Sequence, residues 1–299
     1  MLYVEPSAGV APLVQVIDRA RHTVDLNVYY LSSRPILDAL REAHARGVVV
    51  RVILDGRPWH IAPQKVQQEA RAVVETGAKL HWAPGRFEAG PGRFVYDHAK
   101  YVVTGRTAEI GTANFDYSAF HFNREYLDIT HNSNIVRATR DVFMADWTNQ
   151  RAGNWAHRIL VLSPGSTHKI VSVIDQPGNV EIETEEIGDD RAVLDALARK
   201  GKQAWVILPA SISADDKRNA SWLAAHGVHV RLMPVRPTYL HAKLICTADK
   251  AFIGSENFSY SSLGVSGNRE VGVMLHKASE IHRLQAQFRH DWSRSRRLA

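Results

Sequence analysis

Hydrophobic and polar residues follow two patterns that take turns along the chain. Amphipathic segments with a helical period, such as the one that ends in "ALREAHARG", are followed by short apolar runs such as "VVVRVIL" and "AWVIL". An uninterrupted apolar run is typical of a strand that is buried on both faces of a sheet. The alternation of such strands with amphipathic helices predicts parallel βαβ units and an α/β fold with helices on both faces of the sheet.

The order of these elements occurs twice. "RGVVVRVIL" has a counterpart in "KGKQAWVIL", "NREYLDI" in "NREVGVM" and "FMADW" in "FRHDW", always in the same order and about 145 to 155 residues apart. We therefore predict two α/β halves, residues 1–149 and 150–299, joined by the polar segment 148–154. Each half is expected to be a mainly β sheet flanked by helices, and a pseudo-twofold axis is expected to relate the two halves within one body.

Composition and charge limit the class of protein. The chain has 299 residues, 45% hydrophobic and 23% charged, which is ordinary for a globular protein. Its single cysteine, Cys246, cannot form an intrachain disulfide, and we expect a buried structural thiol rather than a metal ligand. The formal net charge is +6, and about half of it comes from the C-terminal "RHDWSRSRRLA". The remainder lacks the dense basic stripe that is usual in a dedicated nucleic-acid binder.

The chain carries no clear signal for a compartment. No apolar run is long enough to cross a bilayer as a helix. The start "MLYVEPSAGV" has neither the basic residues nor the apolar stretch of a secretory signal. We therefore expect a cytoplasmic protein if Met1 is the native start, and an exported one if a signal peptide has been removed.

One polar motif is present in both halves, as "YDHAKYVVTGRTAEIGTANFD" and "YLHAKLICTADKAFIGSENFS". On a strand, alternation places the histidine and lysine of each motif on one face. A hydroxyl follows each lysine by twelve residues, and an amide follows each histidine by sixteen. The candidate residues are His98, Lys100, Thr112 and Asn114 in the first copy, and His241, Lys243, Ser255 and Asn257 in the second.

These residue types suit the binding of one tetrahedral anion, because all of them are cations or hydrogen-bond donors. A phosphodiester fits such a site. It needs a nucleophile on one side of phosphorus and an acid on the other, and two histidines across a pseudo-twofold axis provide both. Each histidine also needs an orienting carboxylate. Glu125 and Glu270, in the repeated "NRE", follow the histidine of their own half by 27 and 29 residues. An ordinary salt bridge with the adjacent arginine is the alternative.

These motifs resemble the phospholipase D superfamily in both halves, over nearly the whole chain. The family pattern is His-x-Lys, four residues, Asp, then Gly-Ser/Thr-x-Asn and a downstream Glu. The Asp position holds Gly105 in the first copy and Ala248 in the second. The resemblance implies that this Asp is largely structural, so that activity survives its loss. It also implies attack by His98 to form a covalent phosphohistidine, acid–base work by His241, and no cofactor or metal. Because both motifs lie in one chain, a monomer is expected to suffice.

The substrate is expected to be a phospholipid, cleaved or transferred, with peripheral contact to a membrane. Two-motif single chains look more like the lipid-acting branches of the superfamily than its single-motif nucleases. The acidic "EIETEE", with Glu181, Glu183 and Glu185 on one strand face, would repel a long polyanion such as DNA. A nuclease acting on single-stranded or duplex nucleic acid is the alternative, and a catalytically degenerate phosphate-binding protein is a third.

The two halves differ before their histidines. The first has an additional segment, "GRFEAGPGRF", which contains Phe87, Phe94 and three glycines, Gly85, Gly90 and Gly92. Because it leads into the motif strand, we expect it to overhang the cleft. It is either a lid that admits a lipid tail or stacks on a base, or a tolerated surface insertion.

Overall fold

Residues 1–298 are described by the computed structural model of the chain. The N-terminal half contains seven strands and five helices: β1 (Leu2–Glu5), α1 (Ala11–Asp18), β2 (Thr23–Val28), α2 (Arg34–Ala45), β3 (Val49–Leu54), α3 (Pro63–Val74), β4 (Lys79–Trp82), β5 (Lys100–Thr104), β6 (Ala108–Gly111), α4 (Tyr117–His121), β7 (Asn123–Thr130) and α5 (Ser133–Trp147). The buried apolar strands and amphipathic helices follow the predicted order.

The C-terminal half repeats this order with small changes. Its elements are α6 (Asn154–Ile159), β8 (Val161–Ser163), α7 (Thr167–Ile174), β9 (Val180–Thr184), α8 (Arg191–Lys200), β10 (Ala204–Pro209), α9 (Ala214–Ala225), β11 (His229–Met233), β12 (Tyr239–Leu240), β13 (Lys243–Cys246), β14 (Ala251–Gly254), α10 (Tyr260–Leu263), β15 (Glu270–Leu275), α11 (Ala278–Arg294) and β16 (Arg296–Arg297). Single 3₁₀ turns occupy Gly85–Phe87 and Gly201–Gln203.

Each half forms one sheet. The first has the order β1-β7-β6-β5-β2-β3-β4, and the second β16-β11-β10-β9-β13-β14-β15-β8. Strands β2, β3 and β4 are parallel, whereas β5, β6 and β7 run antiparallel. The predicted parallel units are therefore present in β2, β3 and β4, whereas the motif strands pair antiparallel. The short turn at residues 105–107 joins β5 directly to β6, and the chain passes from β6 to β7 through α4, so that each strand pairs antiparallel with the one before it.

The two sheets face each other across a shared core. Buried side chains of both sheets, and of the closing helices α5 and α11, form this core; Phe143 of α5 and Phe288 of α11 are among them. Separate apolar clusters cover the outer face of each sheet beneath α1, α2 and α3 on one side and α7, α8 and α9 on the other. The two halves are thus packed as one body, in agreement with the predicted α/β duplication.

The halves also exchange short backbone pairings. β12 of the C-terminal half leaves its own sheet and pairs in parallel with β7, Tyr239 opposite Asn123. In the mirrored position, Asp97 forms a parallel bridge with Arg269. Each segment that leads into a histidine motif therefore lies against the "NRE" strand of the other half.

Two buried ion pairs reinforce this exchange. Arg124 contacts Asp291 of α11 with Nε–Oδ2 and Nη2–Oδ1 distances of 2.6 and 3.1 Å. Its counterpart Arg269 contacts Asp146 of α5 at 2.8 and 2.9 Å. The two arginines belong to the repeated "NRE", and the two aspartates to the repeated "FMADW" and "FRHDW". The arginines thus pair with the opposite half rather than with the adjacent glutamates.

We expect Arg124→Met to lower the free energy of unfolding by about 3 to 5 kcal/mol, because Asp291 would remain buried without its partner. Urea unfolding followed by circular dichroism measures this loss. Arg218→Met is the matched control. Arg218 pairs with the exposed Asp215, so a change below about 1 kcal/mol is expected. Equal losses in the two variants would contradict the interfacial role of Arg124.

Three further features are local. Cys246 is buried, as predicted. In the Arg-rich C-terminal segment, Arg296 and Arg297 pair antiparallel with β11 at the sheet edge. Within residues 1–298, no helix combines the length and apolar character needed to span a membrane.

Candidate active site

A cleft of about 550 Å³ opens where the two halves meet. Both motif histidines line it, together with both motif amides. The lining residues are Tyr29, Trp59, Phe94, Tyr96, His98, Asn114, Glu185, Glu186, His241, Asn257, Ser261, Ser262 and Asn268. The structure therefore brings the two sequence motifs to one place.

His98 is held by a glutamate of the other half. Its Nδ1 lies 2.9 Å from Oε2 of Glu270 and 3.2 Å from Oε1. The glutamate is completely buried and also accepts hydrogen bonds from Ser262 and Asn268. Burial alone would raise the pKa of Glu270, but His98 and Lys100 lower it below its usual range. Glu270 therefore remains a carboxylate that fixes the proton of His98 on Nδ1.

His241 has the mirrored arrangement. Its Nδ1 lies 2.7 Å from Oε1 of Glu125, which is also completely buried. Glu125 in turn accepts hydrogen bonds from Thr112 at 2.5 Å and from Asn123 at 3.2 Å. Each histidine is thus backed by a carboxylate that two short polar side chains hold in place.

The glutamates cross over between the halves. The sequence analysis paired Glu125 with His98 and Glu270 with His241, and the structure reverses both pairs. The backbone exchange is the physical reason, because the N–H of His98 donates to the carbonyl of Arg269 and the N–H of His241 to that of Arg124. The residue after each arginine is the glutamate, so it reaches the histidine that lies alongside.

The two lysines lie beneath the histidines, completely buried. Lys100 donates to the carbonyl of His98 at 2.7 Å, and Lys243 to that of His241 at 2.6 Å. Burial lowers the pKa of Lys100 to about 7, although the carboxylate of Glu270 opposes the shift. Nζ of Lys243 is also 3.4 Å from both ring nitrogens of His241, whereas the hydrogen bond of Lys100 is with the backbone of His98.

The two amides lie at the cleft surface, whereas the two hydroxyls do not. Asn114 and Asn257 line the cleft, and each has a buried amide oxygen without a protein partner among the described residues. Thr112 and Ser255 are completely buried. The prediction that these hydroxyls bind substrate does not agree with their position. Thr112 donates to Glu125, and Ser255 donates to the carbonyl of Val271 and accepts from its N–H, so they support the glutamate strands.

The missing motif aspartates leave no gap in the cleft. Gly105 lies in the exposed turn between β5 and β6, and Ala248 in the equivalent exposed turn between β13 and β14. Both turns are at the ends of the motif strands that point away from the histidines. The site can therefore be built without these carboxylates.

The additional segment before His98 is partly anchored and partly at the cleft. Phe87 is buried, with the guanidinium groups of Arg86 and Arg269 at 4.7 and 4.5 Å from its ring centre. Phe94 is 63% exposed, lines the cleft and meets Trp59 edge to face at 5.7 Å. Only the end of the segment contributes to the cleft.

The glutamates of the acidic "EIETEE" lie in different environments. Glu183 is buried and accepts a hydrogen bond from the hydroxyl of Tyr126, whereas Glu185 lines the cleft. The expectation that all three glutamates present one acidic face to a ligand was therefore wrong. Of Glu183 and Glu185, only Glu185 lies where it can repel a ligand, and its contacts with the motif residues were not predicted.

Other cleft residues were also not predicted. Tyr29 lies edge to face on His98 with ring centres 4.8 Å apart, and its ring is 5.3 Å from Nζ of Lys100. Its position directly after a buried strand, at the end that leads to the motif, is the signal that could have identified it. Within residues 1–298, no group of three or more metal-ligating side chains is arranged to hold an ion.

Sequence comparisons identify the family that the chain matches. A family model described as "Cardiolipin synthase, PLD-like domain" matches residues 13–147 and 174–292. A cardiolipin synthase of Listeria welshimeri is 31% identical over 140 residues, which cover 44% of this chain and 26% of that enzyme. One of Clostridium perfringens is 27% identical over 135 residues, with the same two shares. The matched part is thus about a quarter of the length of these relatives.

Solved structures show the same fold. A phosphatidylserine synthase of Haemophilus influenzae aligns with a TM-score of 0.68 and 14% identity, over 99% of this chain and 87% of that one. A polyphosphate kinase of Porphyromonas gingivalis aligns with a TM-score of 0.70 and 13% identity, over 98% of this chain and 50% of that one. With the family model matched in both halves, the chain belongs to the phospholipase D superfamily, among its cardiolipin synthase-type phospholipase D-like domains.

Proposed function

We propose that this protein breaks phosphodiester bonds of phospholipids, by hydrolysis or by phosphatidyl transfer, through a covalent phosphohistidine. The observation that carries the proposal is the crossed arrangement of His98 with Glu270 and His241 with Glu125 around one cleft. The cardiolipin synthase relatives support a phospholipid as the substrate class.

The first step uses the two histidines on opposite sides of phosphorus. Glu270 fixes a proton on Nδ1 of His98, which leaves the lone pair of Nε2 to attack. A P–N bond forms as the P–O bond to the head-group alcohol breaks. The departing oxygen takes a proton from Nε2 of His241, so the alcohol leaves uncharged.

The second step reverses these roles. Water, or a second alcohol, gives its proton to His241 and attacks phosphorus, and the P–N bond to His98 breaks. Water yields a phosphomonoester, and an alcohol yields a new diester. His98 is regenerated with its free Nε2 lone pair.

Cations and amides balance the charge of the phosphate. Lys100 and Lys243 place two ammonium groups behind the histidines, and Asn114 and Asn257 present amides to the cleft. Such donors stabilise charge on phosphoryl oxygens in a site that excludes water. We therefore propose turnover without a divalent metal.

The side chains around the mouth of the cleft favour a lipid over a long polyanion as the ligand. Trp59 and Phe94 are 55% and 63% exposed at the mouth, where they offer apolar surface to an acyl chain or a bilayer. Glu185 lines the same cleft as a carboxylate and opposes a second, extended negative charge. Peripheral membrane contact through this mouth is part of the proposal.

The pH dependence of kcat/KM is expected to show two limbs. Burial lowers the pKa of His98 to about 4, which Glu270 only partly offsets, so the nucleophile becomes competent as pH rises through about 4. Lys100, with a pKa of about 7, loses its charge as pH rises further. We expect kcat/KM to be highest near pH 5 to 6 and to fall above about 7. A kcat/KM that still rises from pH 6 to 8 would contradict this assignment.

Substrate class is tested by turnover with and without chelator. The protein is incubated in EDTA with vesicles of phosphatidylglycerol or phosphatidylcholine, and separately with single-stranded DNA. We expect release of phosphatidic acid, or of a new phosphatidyl ester when an alcohol is added, and no cleavage of DNA. Cleavage of DNA without any lipid turnover would favour the nuclease alternative. Phosphate binding without turnover would indicate a degenerate protein, and activity restored only by Mg²⁺ or Zn²⁺ would reject the metal-free mechanism.

A further inference from the structure

The pseudo-twofold symmetry of the cleft is broken at one pair of positions. Val28 lies opposite Lys100 in the first sheet, and Thr184 lies opposite Lys243 in the second. The next residue in each strand makes the same backbone hydrogen bond, from Tyr29 N–H to the carbonyl of Ala99 and from Glu185 N–H to that of Ala242, at 3.1 Å in both cases. A tyrosine and a glutamate therefore occupy equivalent places beside the two histidines.

The carboxylate of Glu185 is packed among polar groups of the C-terminal half. Its Oε2 lies 3.3 Å from Nε2 of His241 and 3.0 Å from Nζ of Lys243. Its Oε1 accepts a hydrogen bond from the hydroxyl of Tyr239 at 3.1 Å. Burial alone would raise the pKa of Glu185, but His241 and Lys243 lower it to about 2. Glu185 is therefore ionised at neutral pH.

The two imidazoles therefore have different numbers of carboxylates around them. His241 has a carboxylate at each ring nitrogen, Glu125 at Nδ1 and Glu185 at Nε2. The ammonium of Lys243 is 3.4 Å from both nitrogens and opposes a charge on the ring, but its contact with Glu185 offsets that effect. A nitrogen that faces a carboxylate is favourable only when it carries a proton. Both ring nitrogens of His241 therefore face a hydrogen-bond acceptor.

His98 lacks the second carboxylate. Glu270 contacts Nδ1 of His98. The ring of Tyr29 packs against His98 at the place that Glu185 has beside His241 in the other half. Within residues 1–298, Nε2 of His98 has no hydrogen-bond partner, so its lone pair is available. The hydroxyl of Tyr29 accepts a hydrogen bond from the N–H of Trp59 and, within residues 1–298, makes none to this nitrogen.

We propose that Glu185 is the positioning residue that assigns the two histidines their roles. By keeping a proton on Nε2 of His241, it makes His241 the group that protonates the leaving alcohol and leaves His98 as the nucleophile. This inference rests on the proposed function. After the proton has moved to the alcohol, the lone pair of Nε2 faces the carboxylate of Glu185. This contact raises the proton affinity of Nε2, so His241 is a stronger base for the deprotonation of water in the second step.

The charge of Glu185 also restricts the ligand. The carboxylate lies beside Lys243, in the cleft where phosphate oxygens would bind. A phosphodiester brings one negative charge, whereas a phosphomonoester brings nearly two. Repulsion by Glu185 therefore favours binding of the diester and release of a phosphomonoester product.

The test compares two leaving groups in a single turnover. The substrates are a short-chain phosphatidyl ester of p-nitrophenol, which departs without a proton, and the matching ethyl ester, which needs one. We expect Glu185→Gln to slow formation of the phosphatidyl enzyme about 10- to 100-fold for the ethyl ester, and less than about 3-fold for the nitrophenyl ester. Glu185→Asp, which retains the charge, should recover part of the ethyl ester rate.

Two outcomes separate this role from the proposed function. If wild-type protein releases no nitrophenol, the proposed function fails. If wild-type protein is active and Glu185→Gln slows both esters by the same factor, only the role of Glu185 is overturned, and the residue is structural. Inhibition by inorganic phosphate gives a second readout, because loss of the carboxylate should tighten it about 10-fold. Unchanged inhibition would overturn the charge restriction.

Discussion

Replacing His98 with asparagine is expected to lower kcat by at least about 10⁴-fold, because the residue would form the covalent bond to phosphorus. Asparagine keeps a polar side chain of similar size but has no lone pair with the nucleophilicity of imidazole. Turnover of a phosphatidyl ester measures the loss. The lower wall of the cleft should persist, since Lys100 and Glu270 are held by other contacts as well.

The control for this variant is His226→Asn. His226 directly follows α9 at an exposed position outside the cleft, so its replacement is expected to leave kcat within about 2-fold. Retention of more than about 1% of kcat in His98→Asn would contradict a nucleophilic role. Reduced phosphate binding together with a lowered melting temperature would instead indicate that the variant had not folded.

The second large effect concerns the crossed glutamates. Glu270→Gln and Glu125→Gln are each expected to lower kcat/KM by about 10² to 10⁴-fold, because a neutral amide neither fixes the tautomer of the histidine nor stabilises its charge. The two variants should slow different chemical events, attack by His98 in one and protonation of the leaving group in the other. Glu270→Gln should slow attack by His98 even on a nitrophenyl ester, whereas Glu125→Gln should slow mainly the ethyl ester, which needs the proton of His241.

This difference tests which half each glutamate serves. If Glu125→Gln slows the nitrophenyl ester and Glu270→Gln does not, the glutamates act within their own halves and the crossed geometry is not the working one. Glu42→Gln on the exposed face of α2 is the matched control, with no expected change in rate.

Repetition made the fold and the motif residues predictable. A histidine, a lysine and an amide at the same spacing in both copies indicate a shared site, even though each copy alone is a weak signal. The α/β class and the duplication followed from the alternation of apolar runs with amphipathic segments. The spacing does not show which histidine each glutamate contacts, since Glu125 and Glu270 follow the histidines of their own halves at nearly equal distances in sequence.

The errors have physical causes outside the pattern. The crossing of the glutamates arises from the pairing of β12 with β7, a two-residue strand that no periodicity reveals. The hydroxyls of Thr112 and Ser255 satisfy backbone groups of the neighbouring strands instead of ligand atoms. The role proposed for Glu185 depends on the contact of its carboxylate with Lys243. The alternating acidic sequence does not distinguish this glutamate from the other two.

The shared architecture alone does not specify the substrate. The phosphatidylserine synthase and the polyphosphate kinase differ in the reaction that their names describe, yet both align over nearly all of this chain. Fold and function are therefore separate claims, and the substrate has to be argued from the cleft. We argue for a lipid diester rather than a nucleic acid from the aromatic mouth and from the carboxylate of Glu185, which has no counterpart in the other half.

The most direct test of the central claim is to trap the covalent intermediate. Protein is mixed with a phosphatidyl p-nitrophenyl ester, quenched within one turnover, digested and analysed by mass spectrometry. We predict a phosphatidyl group on the peptide that contains "HAKYVV", attached to His98, and accumulation of this adduct in His241→Asn. A label on the peptide that contains "HAKLIC", or an active enzyme with no label on either histidine, would contradict it.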